Sequence, residues 1–174
     1  SGPDEDIGKI ETVFAAAIGQ AKDRVRIVTP YFLPDERLKS AIGLAALRGV
    51  DVEVIIPEKS DLSLLDWAMR AHLAFFPLKR MHCYQTPEPF DHSKLMTVDG
   101  RWCAVGSPNW DVRSLRLNFE LLLECYDEQM VAGLDRTIDE RIARARSLTS
   151  DDLAGRTLAA RLRDASARML LPYL

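Results

Sequence analysis

The 174-residue chain is long enough for one domain with a substantial core and too short for two ordinary ones. Apolar residues make up 47% and charged residues 28%, which excludes a disordered tail or a fibrous repeat. A net charge of −3 argues against a domain that holds duplex DNA by bulk electrostatics, so nucleic acid is not an expected partner.

Ile7, Ile10, Val13, Phe14, Ala17, Ile18 and Ala21 recur at helical spacing and predict a first helix over Ile7 to Lys22. The β-branched run Arg24 to Thr29 predicts a buried strand. Pro34-Asp35-Glu36 opens a second helix to about Arg48, and Gly49 stops it. Val50 to Ile56 is the clearest strand. A third helix is predicted over Ser63 to Phe76, ended by Pro77, and a short strand over Arg80 to Thr86. Strand, helix, strand in that order predicts a parallel α/β layer.

After Pro87-Glu88-Pro89 come three extended segments, Phe90 to Val98, Arg101 to Ser107 and Asn118 to Tyr126. A helix over about Gln129 to Ser147 follows. Asp151-Asp152 then starts a last helix whose Leu158, Leu162, Ala165 and Met169 form one apolar stripe. We therefore expect a half-domain over 1–150 and an amphipathic helical tail over 151–174. The segment from Arg156 carries four arginines, Arg156, Arg161, Arg163 and Arg168, against Asp164 alone. Such a helix either lies on a membrane surface or packs its stripe on protein.

Cys83, Cys103 and Cys125 form no C-x-x-C pair, so reduced thiols and a cytoplasmic setting are expected, with no disulfide framework. His82, Cys83 and His92 have irregular spacing and no fourth ligand, and no metal is expected. No run approaches the ~18 apolar residues of a membrane span, and the acidic start Asp4-Glu5-Asp6 is unlike a signal peptide. Any membrane contact is expected to be peripheral.

Asp99-Gly100 between two β-like runs predicts a two-residue type I′ hairpin. In that register Val98 faces Arg101 and His92 faces Ser107. Lys94 lies two residues along on the His92 face, and Asn109 joins it if the strand continues. A histidine, an ammonium, a hydroxyl and an amide then share one patch, which suits a tetrahedral oxyanion. Histidine, with an ordinary pKa of about 6.5, is a nucleophile or proton donor at neutral pH, while lysine and asparagine hold phosphate oxygens. The implied chemistry is phosphoryl transfer. One imidazole cannot attack and protonate the leaving group at once, so a second acid is required opposite it.

His92-Ser93-Lys94, four residues, Asp99, six residues, then Gly106-Ser107-Pro108-Asn109 resembles the H-x-K-x4-D-x6-G-S-x-N signature of the phospholipase D superfamily. Thr29-Pro30-Tyr31-Phe32-Leu33-Pro34-Asp35-Glu36, Ala46-Leu47-Arg48-Gly49-Val50, Asp111-Val112-Arg113-Ser114 and Leu117-Asn118-Phe119-Glu120 extend the likeness to the second half of bacterial cardiolipin synthases across nearly the whole chain. The resemblance implies an α-β-α layered domain with a mixed, largely parallel sheet. It also implies a bilobal enzyme in which two such motifs meet without a metal or cofactor. This chain holds one motif.

By resemblance, one histidine becomes a phosphohistidine and its counterpart protonates the departing alcohol. His92 takes one of these roles, and Lys94 and Asn109 bind phosphate. Glu120 looks like the acid that orients the histidine ring. Asp99 belongs to the motif, yet the hairpin puts it at the far turn, where its role is structural. Asp111 and Arg113 either pair with each other or line the substrate site. Tyr31 and Phe32, after a strand end, are expected in the pocket wall, and Trp110 near its entrance.

The first reading is therefore a half-domain that transfers a phosphatidyl group to a lipid alcohol such as phosphatidylglycerol. It would work peripherally at the cytoplasmic face of a bacterial membrane. The alternatives are a homodimeric phosphodiesterase or nuclease, whose partner chain supplies the second histidine, and a lipid- or phosphate-binding module.

Overall fold

A computed structural model of the chain describes residues 1–3, 6–76, 78 and 80–170. The expected helix end at Pro77, the acidic Asp4 and Glu5, and the last four residues of the tail lie outside the described residues. A first helix, α1 (Lys9–Gln20), leads into β1 (Arg24–Val28) and a two-residue strand β2 (Phe32–Leu33). Helix α2 (Glu36–Leu47) begins where the Asp35 carboxylate accepts the Leu38 N–H at 3.0 Å, satisfying a donor left open in its first turn. Strand β3 (Asp51–Pro57), helix α3 (Ser63–Leu73) and β4 (His82–Thr86) complete the first half.

The second half contains β5 (Leu95–Val98), β6 (Trp102–Gly106), β7 (Trp110–Asp111), the short helix α4 (Val112–Arg116) and β8 (Leu122–Cys125). Helix α5 (Glu128–Ile142) stops short of the expected end near Ser147, and Arg146–Leu148 forms a strand, β9, instead. The single last helix is two. Helix α6 (Ser150–Ala154) starts with a reciprocal Thr149–Asp152 cap and ends at Gly155, and α7 (Leu158–Leu170) follows.

The main sheet has the order β8-β6-β5-β1-β3-β4-β9, with β2 and β7 paired in parallel as a separate ribbon. Only β1–β3 and β3–β4 are parallel; β1–β5, β5–β6, β6–β8 and β4–β9 are antiparallel. The layered α/β fold with a mixed sheet agrees with expectation, but the sheet is mostly antiparallel. The crossovers through α2 and α3 make the parallel part, whereas a tight turn reverses the chain between β5 and β6.

Both faces of the sheet are covered. Val25, Ile27, Val52, Val54, Ile56, Met96 and Ala104 pack with residues of α1, α2 and α3 in the larger core. Val28, Ile55 and Leu95 pack under Ile138 of α5 on the other face. That second face also buries Arg26, which donates to Glu53 at 2.5 Å and is paired with Asp135 and Asp139, so a charge in the sheet is compensated on several sides.

The hairpin turn has the expected chemistry: Asp99 (φ 51°) and Gly100 (φ 67°) are both left-handed, and the Arg101 N–H donates to the Val98 carbonyl at 3.0 Å. Its register differs by one residue. Val98 pairs with Trp102 and Leu95 with Val105, leaving Arg101 unmatched. At this end β5 answers to β1 as well as β6: the Asp99 N–H donates to the Arg24 carbonyl, and its carboxylate accepts the N–H groups of Lys22, Asp23 and Arg24 at 2.8 to 2.9 Å. Ordered pairing also stops at Leu95, so His92 and Lys94 precede the strand instead of lying within it.

Candidate active site

His92 and Lys94 enter β5 at the end opposite Asp99. The Lys94 ammonium lies 2.8 Å from His92 Nδ1 and 3.1 Å from Nε2, and donates to the His92 carbonyl oxygen at 2.8 Å. Partial burial and then the Lys94 charge hold the His92 pKa below its ordinary value, against an opposing pull from Asp61 and Asp91. Burial also lowers the Lys94 pKa, although Glu120, Asp91 and Asp111 favour its charged form. The lowered His92 pKa favours the neutral ring, in which one nitrogen keeps a lone pair beside the ammonium.

The residues around this pair are fixed from behind. Asp91 accepts from the Ser93 N–H at 2.8 Å and from the Ser93 hydroxyl at 2.6 Å, and pairs at 2.7 Å with Arg141 of α5. The Arg141 guanidinium also donates to the Ser93 hydroxyl at 3.1 Å, so α5 anchors the turn that carries His92. On the other side the Tyr31 ring stands edge-on to the His92 ring, centroids 6.1 Å apart, and the Tyr31 hydroxyl donates to Asp61. Phe90 lies 5.6 Å from the same imidazole. Tyr31 is a residue the sequence points to for the wall, whereas Asp61 reads there only as a candidate helix start and Asp91 and Arg141 carry no role. Asp91, next to the motif histidine, carried the only available signal.

The second cluster gathers around Glu120. Its carboxylate accepts from the Ser107 hydroxyl, from the Ser114 hydroxyl at 2.7 Å and from the Asn118 amide at 3.4 Å. Ser114 in turn accepts the Asn109 N–H at 2.8 Å, and the Ser107 hydroxyl accepts the Leu121 N–H at 3.0 Å. The expected bond from Glu120 to His92 is absent among the described residues. Two hydroxyls on the neighbouring segments reach the carboxylate first, and the Glu120 charge favours the ammonium form of Lys94.

Gly106 allows this arrangement, because a Cβ there would meet the Leu121 carbonyl at 2.2 Å. Asn109 Oδ1 is buried without a partner, so the side chain is held beside the site with unused hydrogen-bonding capacity. Asp111 caps α4 through the Ser114 N–H at 2.7 Å, and burial raises its pKa. Trp110 is not at an entrance. It is 1% exposed and stacked on Phe14 with ring centroids 4.7 Å apart. Phe32 is likewise fully buried against it, in the core and not in a pocket wall.

His92 itself is exposed. A concavity of about 380 Å³ beside Asp99 and Trp102, and another of about 240 Å³ beside Arg26 and Asp99, lie at the opposite end of β5. Among the described residues no group of three or more His, Cys, Asp or Glu side chains could hold a metal ion. The arrangement presents a nucleophile or proton donor and a cation on an open face.

Residues 14–142 match the family model described as "Cardiolipin synthase, PLD-like domain". The chain belongs to this phospholipase D-like cardiolipin synthase family. It is 34% identical over all 174 residues to cardiolipin synthase 2 of Staphylococcus epidermidis and to the major cardiolipin synthase ClsA of Bacillus subtilis, and 36% identical to a Listeria monocytogenes cardiolipin synthase. In each case it spans 36% of the relative's length.

Two solved structures share the fold of this family member. Nuc of Salmonella typhimurium, a phospholipase D family member, matches with a TM-score of 0.72 at 21% identity, covering 86% of this chain and 96% of that one. The phosphatidylserine synthase of Haemophilus influenzae matches with 0.79 at 18% identity, covering 99% and 46%.

Proposed function

We propose that the chain is one catalytic half of a cardiolipin synthase-type phosphatidyltransferase, with His92, Lys94, Ser107, Asn109 and Glu120 as its contribution to a site completed by a second motif. The observation that carries this reading is the pairing of His92 with Lys94 on an exposed face beside the Ser107–Glu120 cluster, in a chain similar along its full length to cardiolipin synthases. Asp99 holds the hairpin to β1 and takes no part in the chemistry.

In the first step an imidazole nitrogen attacks the phosphorus of phosphatidylglycerol, a P–N bond forms and the P–O bond to glycerol breaks. The histidine of the second motif delivers a proton to the departing glycerol oxygen. In the second step the primary hydroxyl of another phosphatidylglycerol loses its proton to that partner and attacks phosphorus, releasing the first histidine and leaving cardiolipin. Lys94 and Asn109 hold the non-bridging oxygens as charge develops. The lowered pKa keeps His92 neutral near pH 7, the form a nucleophile requires. In this reading the domain acts peripherally at the cytoplasmic face of a bacterial membrane.

The test is reconstitution of the two-motif enzyme on phosphatidylglycerol vesicles, with cardiolipin and glycerol measured. His92→Ala should abolish both products, and unchanged formation would overturn the reading. A second reading, a homodimer that hydrolyses phosphodiesters, is favoured by the likeness to Nuc, of which this fold covers nearly the whole chain. Cleavage of a diester by the isolated 174-residue chain, with a doubled solution mass, would select it.

A further inference from the structure

Helix α7 is docked the wrong way round for an ordinary amphipathic helix. It packs along α3. The α7 side chains buried there are Asp164, 3% exposed, and Ala167, 2% exposed. Asp164 is neutralised in place by Arg156 at 3.1 Å and Arg163 at 2.7 Å. The apolar stripe expected to seek the core faces outward instead: Leu158 is 71% exposed, Leu162 61% and Met169 77%, with Ala165 between them. A helix that turns its long apolar side chains to solvent and settles on an alanine and a paired aspartate has that stripe available for another surface.

The charges beside the stripe identify the surface. Arg161 and Arg168 make no ion pair among the described residues. The Arg168 guanidinium lies 4.3 Å from the centre of the exposed Phe75 ring; the Lys39 ammonium of α2, 5.9 Å from the same ring, is already paired with Glu36 at 2.6 Å. Arg163 covers Trp67 at 4.4 Å. Arg161 and Arg168 thus flank an aliphatic stripe on α7, in a chain whose net charge is negative. Such a face complements an interface with anionic headgroups above and acyl chains below.

We infer that the outward face of α7, with Leu158, Leu162, Met169, Arg161 and Arg168 beside Phe75, is the surface by which this domain lies on an anionic phospholipid bilayer. The inference rests on the reading of the chain as a phospholipid-transferring half-domain. Apolar insertion and headgroup attraction then act together, so binding requires both the stripe and anionic lipid. Docking of the domain would bring lipid substrate to His92 by surface diffusion.

The 174-residue chain is sedimented with vesicles of pure phosphatidylcholine and of phosphatidylcholine mixed with phosphatidylglycerol, at 0.1 M and 0.5 M salt. We expect binding to the mixed vesicles, weakened by salt and by removal of phosphatidylglycerol. A Leu162→Glu, Met169→Glu double variant should lose binding by about tenfold or more, and Arg161→Gln with Arg168→Gln should remove the dependence on anionic lipid. None of the four positions belongs to the His92 or Glu120 clusters; circular dichroism and melting temperature report whether each variant is folded. Equal binding of folded Leu162→Glu, Met169→Glu and parent overturns the inference, as does a parent that ignores phosphatidylglycerol. So does a fall in solution mass in the variant, which would assign the stripe to a protein partner. The two readings fail separately, because vesicle binding is read on the isolated chain and transfer only in the assembled enzyme.

Discussion

The Lys94 ammonium stands 2.8 Å from Nδ1 of His92, close enough for its charge to bear on the protonation of the ring. Burial lowers the His92 pKa first and the lysine charge lowers it further. Replacement by Lys94→Met should therefore move the His92 titration upward, read by NMR of the imidazole Cε1–H. Burial would persist, so the movement stops short of an exposed histidine. In the two-motif enzyme the same change should cost roughly 100-fold or more in transfer rate.

Asp61 acts on the same imidazole with opposite sign, since its charge favours the protonated ring. It is held in place by the Tyr31 hydroxyl, whose own pKa is raised by burial and by this carboxylate. Asp61→Asn should lower the His92 pKa. An unchanged titration in the folded variant would show that the carboxylate has no hold on the ring.

Gly106 is where β6 meets the backbone after Glu120, with room for no Cβ. Gly106→Ala must push the Leu121 carbonyl away and disturb the bond between Ser107 and Glu120. The expected loss is about 1–3 kcal/mol in unfolding free energy, measured by urea titration, with transfer falling more than global stability alone explains.

Asp99 clips three consecutive N–H groups of the turn before β1. Removing the carboxylate in Asp99→Ala should cost about 1–3 kcal/mol and leave the His92 titration in place. Those hydrogen bonds hold the Asp99 carboxyl below its usual range despite the opposing effect of burial. Its contribution is thus present above the ordinary aspartate pKa and fades as the pH falls through the lowered value.

His72 is 6% exposed, its Nε2 has no partner, and burial followed by Arg168 and Lys39 pushes its pKa down to about 4 from 6.5. The unfolded chain binds this proton more readily, so stability is complete above about 6.5 and declines toward pH 4. The share attributable to His72 is about 2 kcal/mol at pH 5. His72→Gln should flatten the pH dependence of the urea midpoint between pH 7 and 5; an identical slope would assign the acid sensitivity elsewhere.

Much of the molecule is written in local signals. The Asp99-Gly100 turn demands positive φ, Asp35 begins a helix, and the β-branched residues of Val50 to Ile56 predict a strand; these depend on a few adjacent residues. The motif spacing of His92, Lys94 and Asp99 likewise follows from the sequence alone. What it left undecided involves competition between distant partners.

Clamping of Asp99 by residues 22–24 coincides with the one-residue difference in the β5–β6 register. Arg146 to Leu148 becomes a strand only because β4 offers it an edge. Glu120 had several possible donors, and Ser107 and Ser114 reach it in the folded chain while His92 does not. Helical spacing showed that α7 has an apolar stripe, but not which side would meet α3. The paired Asp164 and the small Ala167 fit against that helix, and the long side chains remain outside. Periodicity fixes which residues share a face, whereas only tertiary packing decides what that face meets.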